Sequence, residues 1–314
     1  MSTAKIMLTV IIALMPSAVA GCVFFGPKAA AVIAMCVCSC VVFEYLCRLV
    51  MKKDQTVGDL SAIVTGLLLG MNLPATTPLY VAVIGSFVAI VIIKQLFGGI
   101  GQNFANPAIA ARIVLMLSFA GQMSGWVKPY WYTSVVDAET SATPLAAKWL
   151  EYTENGMAYK MAPFTLGEMF FGETGGCIGE TCAAALIAGG LFLIIIRVIS
   201  PATPIAYIGS FGLLTLIYTG SLVETVYGIL AGGLLIGAFF MATDYATTPV
   251  TCKGKIIFGL GCGIITFVIR SFGSYPEGVS FSILLMNLLT PYIDRLTGTA
   301  PLGAKKPEKK TAKA

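Results

Sequence analysis

The chain has 314 residues and a formal net charge of +5; 57% of its residues are apolar and only 11% are charged, for a mean hydropathy of +0.87. Soluble domains carry about 25% charged residues, so a chain this long and this poor in charge cannot clothe a globular surface in polar groups. That balance excludes an ordinary cytosolic enzyme, a disordered chain, a disulfide-knit secreted domain and a nucleic-acid binder, and it leaves an all-α polytopic membrane protein.

A membrane-crossing helix needs about 20 apolar residues. On that measure, ten spans fall near 5–25, 29–50, 59–73, 78–97, 103–120, 182–199, 204–219, 223–243, 254–270 and 278–295. The first follows Lys5 and contains Ala18-Val19-Ala20, which resembles a signal-peptide cleavage site. The many spans behind it make it the first transmembrane helix, kinked at Pro16. The second carries Cys36-Val-Cys-Ser-Cys40, whose period of two spreads the thiols around a helix. Buried cysteines of this kind pack as small hydrophobes. Glu44 and Arg48 are four residues apart on that helix and are expected to pair. The third span is short and stops at Asn72-Leu-Pro74, the mark of a broken helix.

Gly98-Gly-Ile-Gly-Gln-Asn103, then Asn106-Pro107 and Arg112, lead into the fifth span. Such glycines let backbone approach a ligand or a neighbouring helix. No strand precedes them, so a nucleotide-binding loop is a poor reading. Arg112 lies within the span and needs an anion: a carboxylate such as Asp244 or Glu277, or a phosphate or flavin oxygen.

The one long connection, 121–181, holds seven of the fifteen acidic residues. Its segment Asp137-Ala-Glu-Thr140-Ser141-Ala142-Thr143-Pro144-Leu145 reads as a Ser/Thr-rich turn, with Thr143-Pro144 suited to a helix start. Cys177 and Cys182 flank the next span and could pair or ligate a metal. Histidine is absent, which removes the commonest ligand for zinc or haem.

The second half carries Phe240-Met-Ala-Thr-Asp244-Tyr-Ala-Thr-Thr248-Pro, then Tyr275-Pro-Glu277-Gly278, and Asn287 on the last span. Irregular backbone at membrane depth must line a cavity or be buried in protein. Here it either coordinates a cation, holds a polar ring or simply shapes the turn. Asp244, Glu277, Glu44 and Asn287 are the candidates for an ion path, while Asp294 and Arg295 mark a helix end.

Ala75-Thr-Thr-Pro78 recurs as Ala246-Thr-Thr-Pro249, each copy following the third span of a group of five. Five spans per group place the copies on opposite faces, as in an inverted-topology repeat. The organisation expected is a first five-helix repeat at 1–120, an extracytoplasmic loop at 121–181, a second repeat at 182–297 and a basic tail at 298–314. With the N-terminus inside, fourteen Lys and Arg fall on the cytoplasmic side and five (Lys28, Lys128, Lys148, Lys160 and Arg270) outside. The positive-inside rule therefore puts both termini in the cytoplasm.

The pattern Asp137-x-x-Thr140-Ser141-Ala142-Thr143 resembles the flavinylation motif of the membrane proteins of Rnf and Na⁺-pumping NADH:quinone reductase complexes, with Ser141 where glycine is frequent. Gly98-Gly-Ile-Gly-Gln-Asn-Phe-Ala-Asn-Pro107, Phe240-Met-Ala-Thr-Asp244, Pro276-Glu-Gly278 and Met286-Asn287…Pro291-Tyr-Ile-Asp294 are similar to signatures of the RnfD proteins, in order along nearly the whole chain. The short N-terminal region favours that branch over its homologue in the Na⁺-pumping quinone reductase, which has a longer extension.

The resemblance implies a fold related to urea transporters. It also implies FMN joined through its phosphate to the Thr143 hydroxyl by a separate flavin transferase that uses FAD. Asn106, Arg112 and Thr248 would be further flavin contacts, and a noncovalent flavin such as riboflavin could sit among the helices. The chain would then be a non-autonomous redox component, with a second flavoprotein among its partners. The complex, in a bacterial or archaeal cytoplasmic membrane, would couple ferredoxin and NAD⁺ to Na⁺ or H⁺ movement. A urea-permease-type channel, or a scaffold without redox role, is the alternative; neither would need a flavin at Thr143.

Overall fold

The computed structural model describes residues 2–133, 143–145, 164–273 and 277–298. Helix α1 (Thr3–Phe25) and α2 (Pro27–Val50) are long and apolar, and they join at Gly26. Gly26 has a φ of +80°, a conformation that glycine adopts freely. Pro27 opens α2 at its first position, where the missing N–H costs nothing. Helix α3 (Ser61–Met71) ends at Asn72, as expected of a broken span. Helix α4 (Leu79–Phe87) continues without interruption into a π-helical stretch, Val88–Gln95.

The backbone then leaves helical geometry until α5 (Pro107–Ser118), which the Asn106 side chain caps by accepting from the Ala108 and Ile109 N–H groups. Gly98, Gly99 and Gly101 all have φ between +85° and +120°. The glycine run is therefore a turn that other residues could adopt only with strain, rather than a surface for helix packing. Helix α6 (Leu166–Phe171) begins with a capping box between Thr165 and Glu168. Beyond it lie α7 (Ala183–Ile195), α8 (Ala202–Thr219) and α9 (Leu222–Leu230). Helix α10 (Leu234–Ile236) runs straight into a π-helical turn, Gly237–Met241. The last two helices are α11 (Cys252–Phe272) and α12 (Val279–Thr297).

Among the described residues the regular structure is helical, and a helix lies in each stretch expected to span. Helices α1, α2, α8 and α11 are long and apolar enough to cross a membrane alone. The expected span at 223–243 is not one straight helix: α9 and the α10 segment meet at an angle of 69°. Ala231-Gly232-Gly233 interrupts the hydrogen-bond ladder there, and Gly232 takes a φ of +65°. The span expected from 103 begins only at Pro107, because proline cannot continue a helix from its N-terminal side. Large apolar side chains face outward along these helices, among them Val50, Ile195 and Leu296. The protein is a multi-pass membrane protein.

Helix α2 packs on α3 and α4, and α11 packs between α8 and α12. Contacts of α1 with α7, and of α5 with α12, tie the first half of the chain to the second. Small residues permit these approaches. A Cβ on Gly189 would strike the Ala13 carbonyl oxygen across the α1–α7 contact. Gly189→Val should therefore destabilise the protein by about 1–3 kcal/mol through overpacking, read as a lower Tm in detergent. An unchanged Tm would mean that α1 is not seated on α7 in this way.

Candidate functional site

Helix α3 is almost wholly buried and carries a polar group at each end, about 16 Å apart at 1.5 Å per residue. At its C-terminal end Asn72 Oδ1 accepts from Arg112 Nη1 at 2.7 Å, while Asn72 Nδ2 donates to the Leu68 carbonyl. Arg112, on α5 and 2% exposed, also forms an ion pair with Glu277 at 2.5 Å. Of the two carboxylates weighed for Arg112, Glu277 is the partner and Asp244 is not. The same guanidinium donates to the Cys177 thiol at 3.3 Å. Cys177 and Cys182, which could have paired or ligated a metal, are both free. No cluster of metal-ligating side chains exists among the described residues.

Glu277 reaches the α9–α10 break, where its Oε1 accepts from the Gly233 N–H at 3.3 Å. Arg270 holds the other side of that break, donating to the Gly228 and Ala231 carbonyls that end α9. A cation at the C-terminal carbonyls suits the helix dipole. Glu180, in the loop before α7, accepts from the Cys177 N–H through Oε1. Its Oε2 is buried and has no hydrogen-bond partner among the described residues. Burial and the neighbouring Glu277 carboxylate push Glu180 up, to about 6, against the opposing pull of Arg112.

A carboxyl group raised in this way stabilises the fold fully below its unfolded value. That contribution is lost as the pH rises through the folded value. Glu180→Gln, which cannot ionise, should therefore gain Tm relative to the unsubstituted chain between pH 4.5 and 7. A Tm difference that stays constant across that range would show that Glu180 is not raised.

Thr143 is half-buried and precedes Pro144 and Leu145, which are helical as the Thr-Pro pair suggested. Leu145 packs against Met169, Tyr227 and Ala231, and Tyr227 Oη donates to the Pro144 carbonyl at 3.2 Å. Thr143, Glu180, Thr181 and Gly232 line one cavity of about 10 Å³, room for about one water. Thr143 thus sits on the helix break that Glu277 and Arg112 also hold. Asp137, Thr140, Ser141 and Ala142 lie outside the described residues.

At the other end of α3, Lys94 donates to Ser61 Oγ and forms a 2.8 Å ion pair with Glu44. Thr56 Oγ1 and Gln95 Nε2 complete the carboxylate's partners. This corrects the expected Glu44–Arg48 pairing. Lys94 comes from the π-helical segment and reaches Glu44 from another helix, whereas the Arg48 guanidinium lies against Gly99. Lys94, one of the fourteen cations counted on the cytoplasmic side, is only 2% exposed.

Lys94, Ser61, Thr65, Asn103, Asn106 and Asp244 line a cavity of about 310 Å³. Asp244 accepts from Thr247 Oγ1 at 3.2 Å, and Asn103 Oδ1 is buried without a partner among the described residues. Between the two ends, Asn106 Nδ2 donates to the Met241 carbonyl. Asn287, its amide oriented to satisfy both neighbours, donates to Thr247 O and accepts from the Asn106 N–H. Asp294 accepts from the Val250 N–H at its helix end.

A model of the NQR2, RnfD, RnfE family matches residues 1–303. The chain belongs to this family. It is 48% identical to the D subunit of the Na⁺-translocating ferredoxin:NAD⁺ oxidoreductase complex of Acetobacterium woodii, over 100% of this chain and 94% of that one. It is 45% identical to the D subunit of the proton-translocating ferredoxin:NAD⁺ oxidoreductase complex of Clostridium ljungdahlii, over 97% and 93% of the two chains. A third relative, the D subunit of the ion-translocating oxidoreductase complex of Stutzerimonas stutzeri, is 36% identical over 94% and 90%.

In this member of the family the three further flavin contacts expected from sequence do not converge. Asn106 faces the 310 Å³ cavity, Arg112 the ion-paired cluster, and Thr248 a separate cavity beyond Thr243 and Tyr245. Glu180, Asn72 and Lys94 carry much of the geometry, yet sequence reasoning assigned none of them a site role. The broken helix after Asn72 was the one available signal for that residue.

Proposed function

We propose that this chain is the RnfD-type membrane component of an ion-translocating ferredoxin:NAD⁺ oxidoreductase complex and carries FMN as a phosphoester on Thr143. The observation that carries the reading is the seat of Thr143 on the α9–α10 break, beside buried Glu180 and close to the Glu277–Arg112 pair that holds the same break. The match of Asp137, Thr140, Ser141 and Ala142 to the flavinylation motif supports it. Thr181 Oγ1 and, when protonated, Glu180 Oε2, both without a partner among the described residues, fit a phosphate oxygen beside Thr143; at about 10 Å³ the cavity they line leaves the flavin ring outside it.

Attachment would need a flavin transferase and FAD, with the Thr143 hydroxyl as the acceptor: its Oγ would take the new P–O bond, AMP would leave and the hydroxyl proton would be released. A flavin bound there would supply one- and two-electron transfer; the resemblance to the family implies a second flavoprotein as partner. The chain's own residues set the environment. Pro144 and Leu145 fix the attachment point through Tyr227 and Met169. Glu180 holds or releases a proton beside it, while Arg112 offsets Glu277 and Arg270 holds the carbonyls at the break. The 310 Å³ cavity is within the usual range of ligand sites. Its Lys94, Asn103 and Asn106 suit the polar edge of a second, noncovalent flavin ring.

In this reading α3 spans the coupling path. Glu277 lies at its Asn72 end, and Glu44 and Asp244 lie near its Ser61 end. Asn287 sits between them and touches Asn106. These carboxylates and Asn287 are the groups of this chain that would bind or pass Na⁺ or H⁺ between the two ends. Two inverted five-helix halves, 1–120 and 182–297, joined by an outer loop at 121–181 with both termini cytoplasmic, accommodate this arrangement. The breaks after α3 and around α10 then fall at corresponding places in the two halves, as in transporters built from inverted repeats. The test is Thr143→Ala in the assembled complex. Membrane insertion should persist while ferredoxin:NAD⁺ electron transfer collapses, and an unaltered rate would return the chain to a channel or scaffold role.

A further inference from the structure

A second cavity, of about 600 Å³, opens where α7 ends and α11, a helix long and apolar enough to span, begins. Two cations from different elements line it: Arg197, just beyond α7 with a φ of +60°, and Lys255, in the first turn of α11. Neither makes an ion pair or a side-chain hydrogen bond among the described residues, and no acidic side chain lines the space. Ser200 and Thr248 add hydroxyl groups. The flanks are aliphatic, with Ile194 and Val250 on the wall, and Val250 and neighbouring Ile195 are 83% and 78% exposed.

Two uncompensated cations beside an outward apolar surface describe an anion with a hydrocarbon tail. A free anion would need no such flank, and an acidic protein segment would not favour bare valine and isoleucine at the rim. We propose that this cavity binds the phosphate headgroup of an anionic phospholipid, with Arg197 and Lys255 as its ligands and the acyl chains lying along α7. Basic pockets between spanning helices are common seats for such headgroups, and guanidinium and ammonium groups bind phosphate by charge-assisted hydrogen bonds. The wall formed by Ile199, Thr243 and Tyr245 borders the 310 Å³ cavity on its other side. A bound headgroup would therefore abut the inner site.

The experiment uses the full chain, purified in detergent and stripped of lipid, with Tm and native mass spectrometry as readouts. Phosphatidylglycerol, phosphatidylcholine of the same acyl length and inorganic phosphate are added separately. Phosphatidylglycerol alone should raise Tm and remain bound. The double variant R197Q/K255Q should lose both effects while folding at its own Tm, and K52Q/K53Q, which removes equal charge elsewhere, should keep them. An equal gain with phosphatidylcholine, an equal gain with inorganic phosphate, or a phosphatidylglycerol effect that survives in R197Q/K255Q would each overturn the assignment. So would loss of the partner proteins from R197Q/K255Q with no lipid effect in the unsubstituted chain, which would make the cavity a protein contact.

Discussion

Arg112→Met is expected to destabilise the protein by about 3–5 kcal/mol, the usual result of removing one partner from a buried ion pair. Glu277 would lose its only ion-pair partner among the described residues, and Asn72 Oδ1 and the Cys177 thiol would lose their donor. The cost is raised further because Glu180 lies beside Glu277 and pushes against it once the guanidinium is gone. It also reaches the backbone, since Glu277 holds the Gly233 N–H at the α9–α10 break. Replacing both charges, as Arg112→Met with Glu277→Gln, should recover much of the loss. A double-mutant cycle on denaturant unfolding isolates that coupling. Additive single effects would mean that the two side chains do not meet.

The second large effect is expected at the opposite end of α3. Lys94→Met should also cost about 3–5 kcal/mol, because it strands the Glu44 carboxylate at 0% exposure with only Thr56 and Gln95 as donors. The Ser61 hydroxyl at the start of α3 would lose its contact as well. Arg48→Met is the informative comparison: that guanidinium makes no ion pair with Glu44, so its removal should cost much less. If the two variants prove equally damaging in detergent unfolding, the local Glu44–Arg48 pairing is the correct one after all.

That contrast shows where sequence reasoning was strong and where it ran out. Helices α1, α2, α8 and α11 were legible because hydrocarbon thickness sets a length, and apolar runs of that length are hard to miss; α3, α5 and α7 are shorter than that measure. Pairing was less legible. Glu44 and Arg48 satisfy a local four-residue rule, but Lys94 reaches Glu44 across the α2–α4 interface, and no local spacing encodes that contact. Lys94 itself counts with the cytoplasmic cations although it falls near the end of the expected span 78–97. Arg112 announced itself as a charge within a span, and Glu277 was one of two partners weighed. Only the fold could choose, by turning Asp244 toward the cavity at the other end of α3. Glu180 gave no signal, since an acidic residue in a loop rich in acids reads as solvated. The α9–α10 bend rests on the small residues Ala231-Gly232-Gly233 within a run otherwise apolar enough to pass for one span. Thr143 stood out through motif resemblance, bare propensity marking only a helix start.

The central claim is the covalent flavin at Thr143. The most direct measurement is the intact mass and in-gel flavin fluorescence of the denatured chain, co-produced with a flavin transferase and run beside Thr143→Ala. The account predicts a fluorescent chain heavier by the mass of FMN less one water, with both signals absent from the variant. A dark, unmodified chain, with the transferase shown to be active on another substrate, would contradict it.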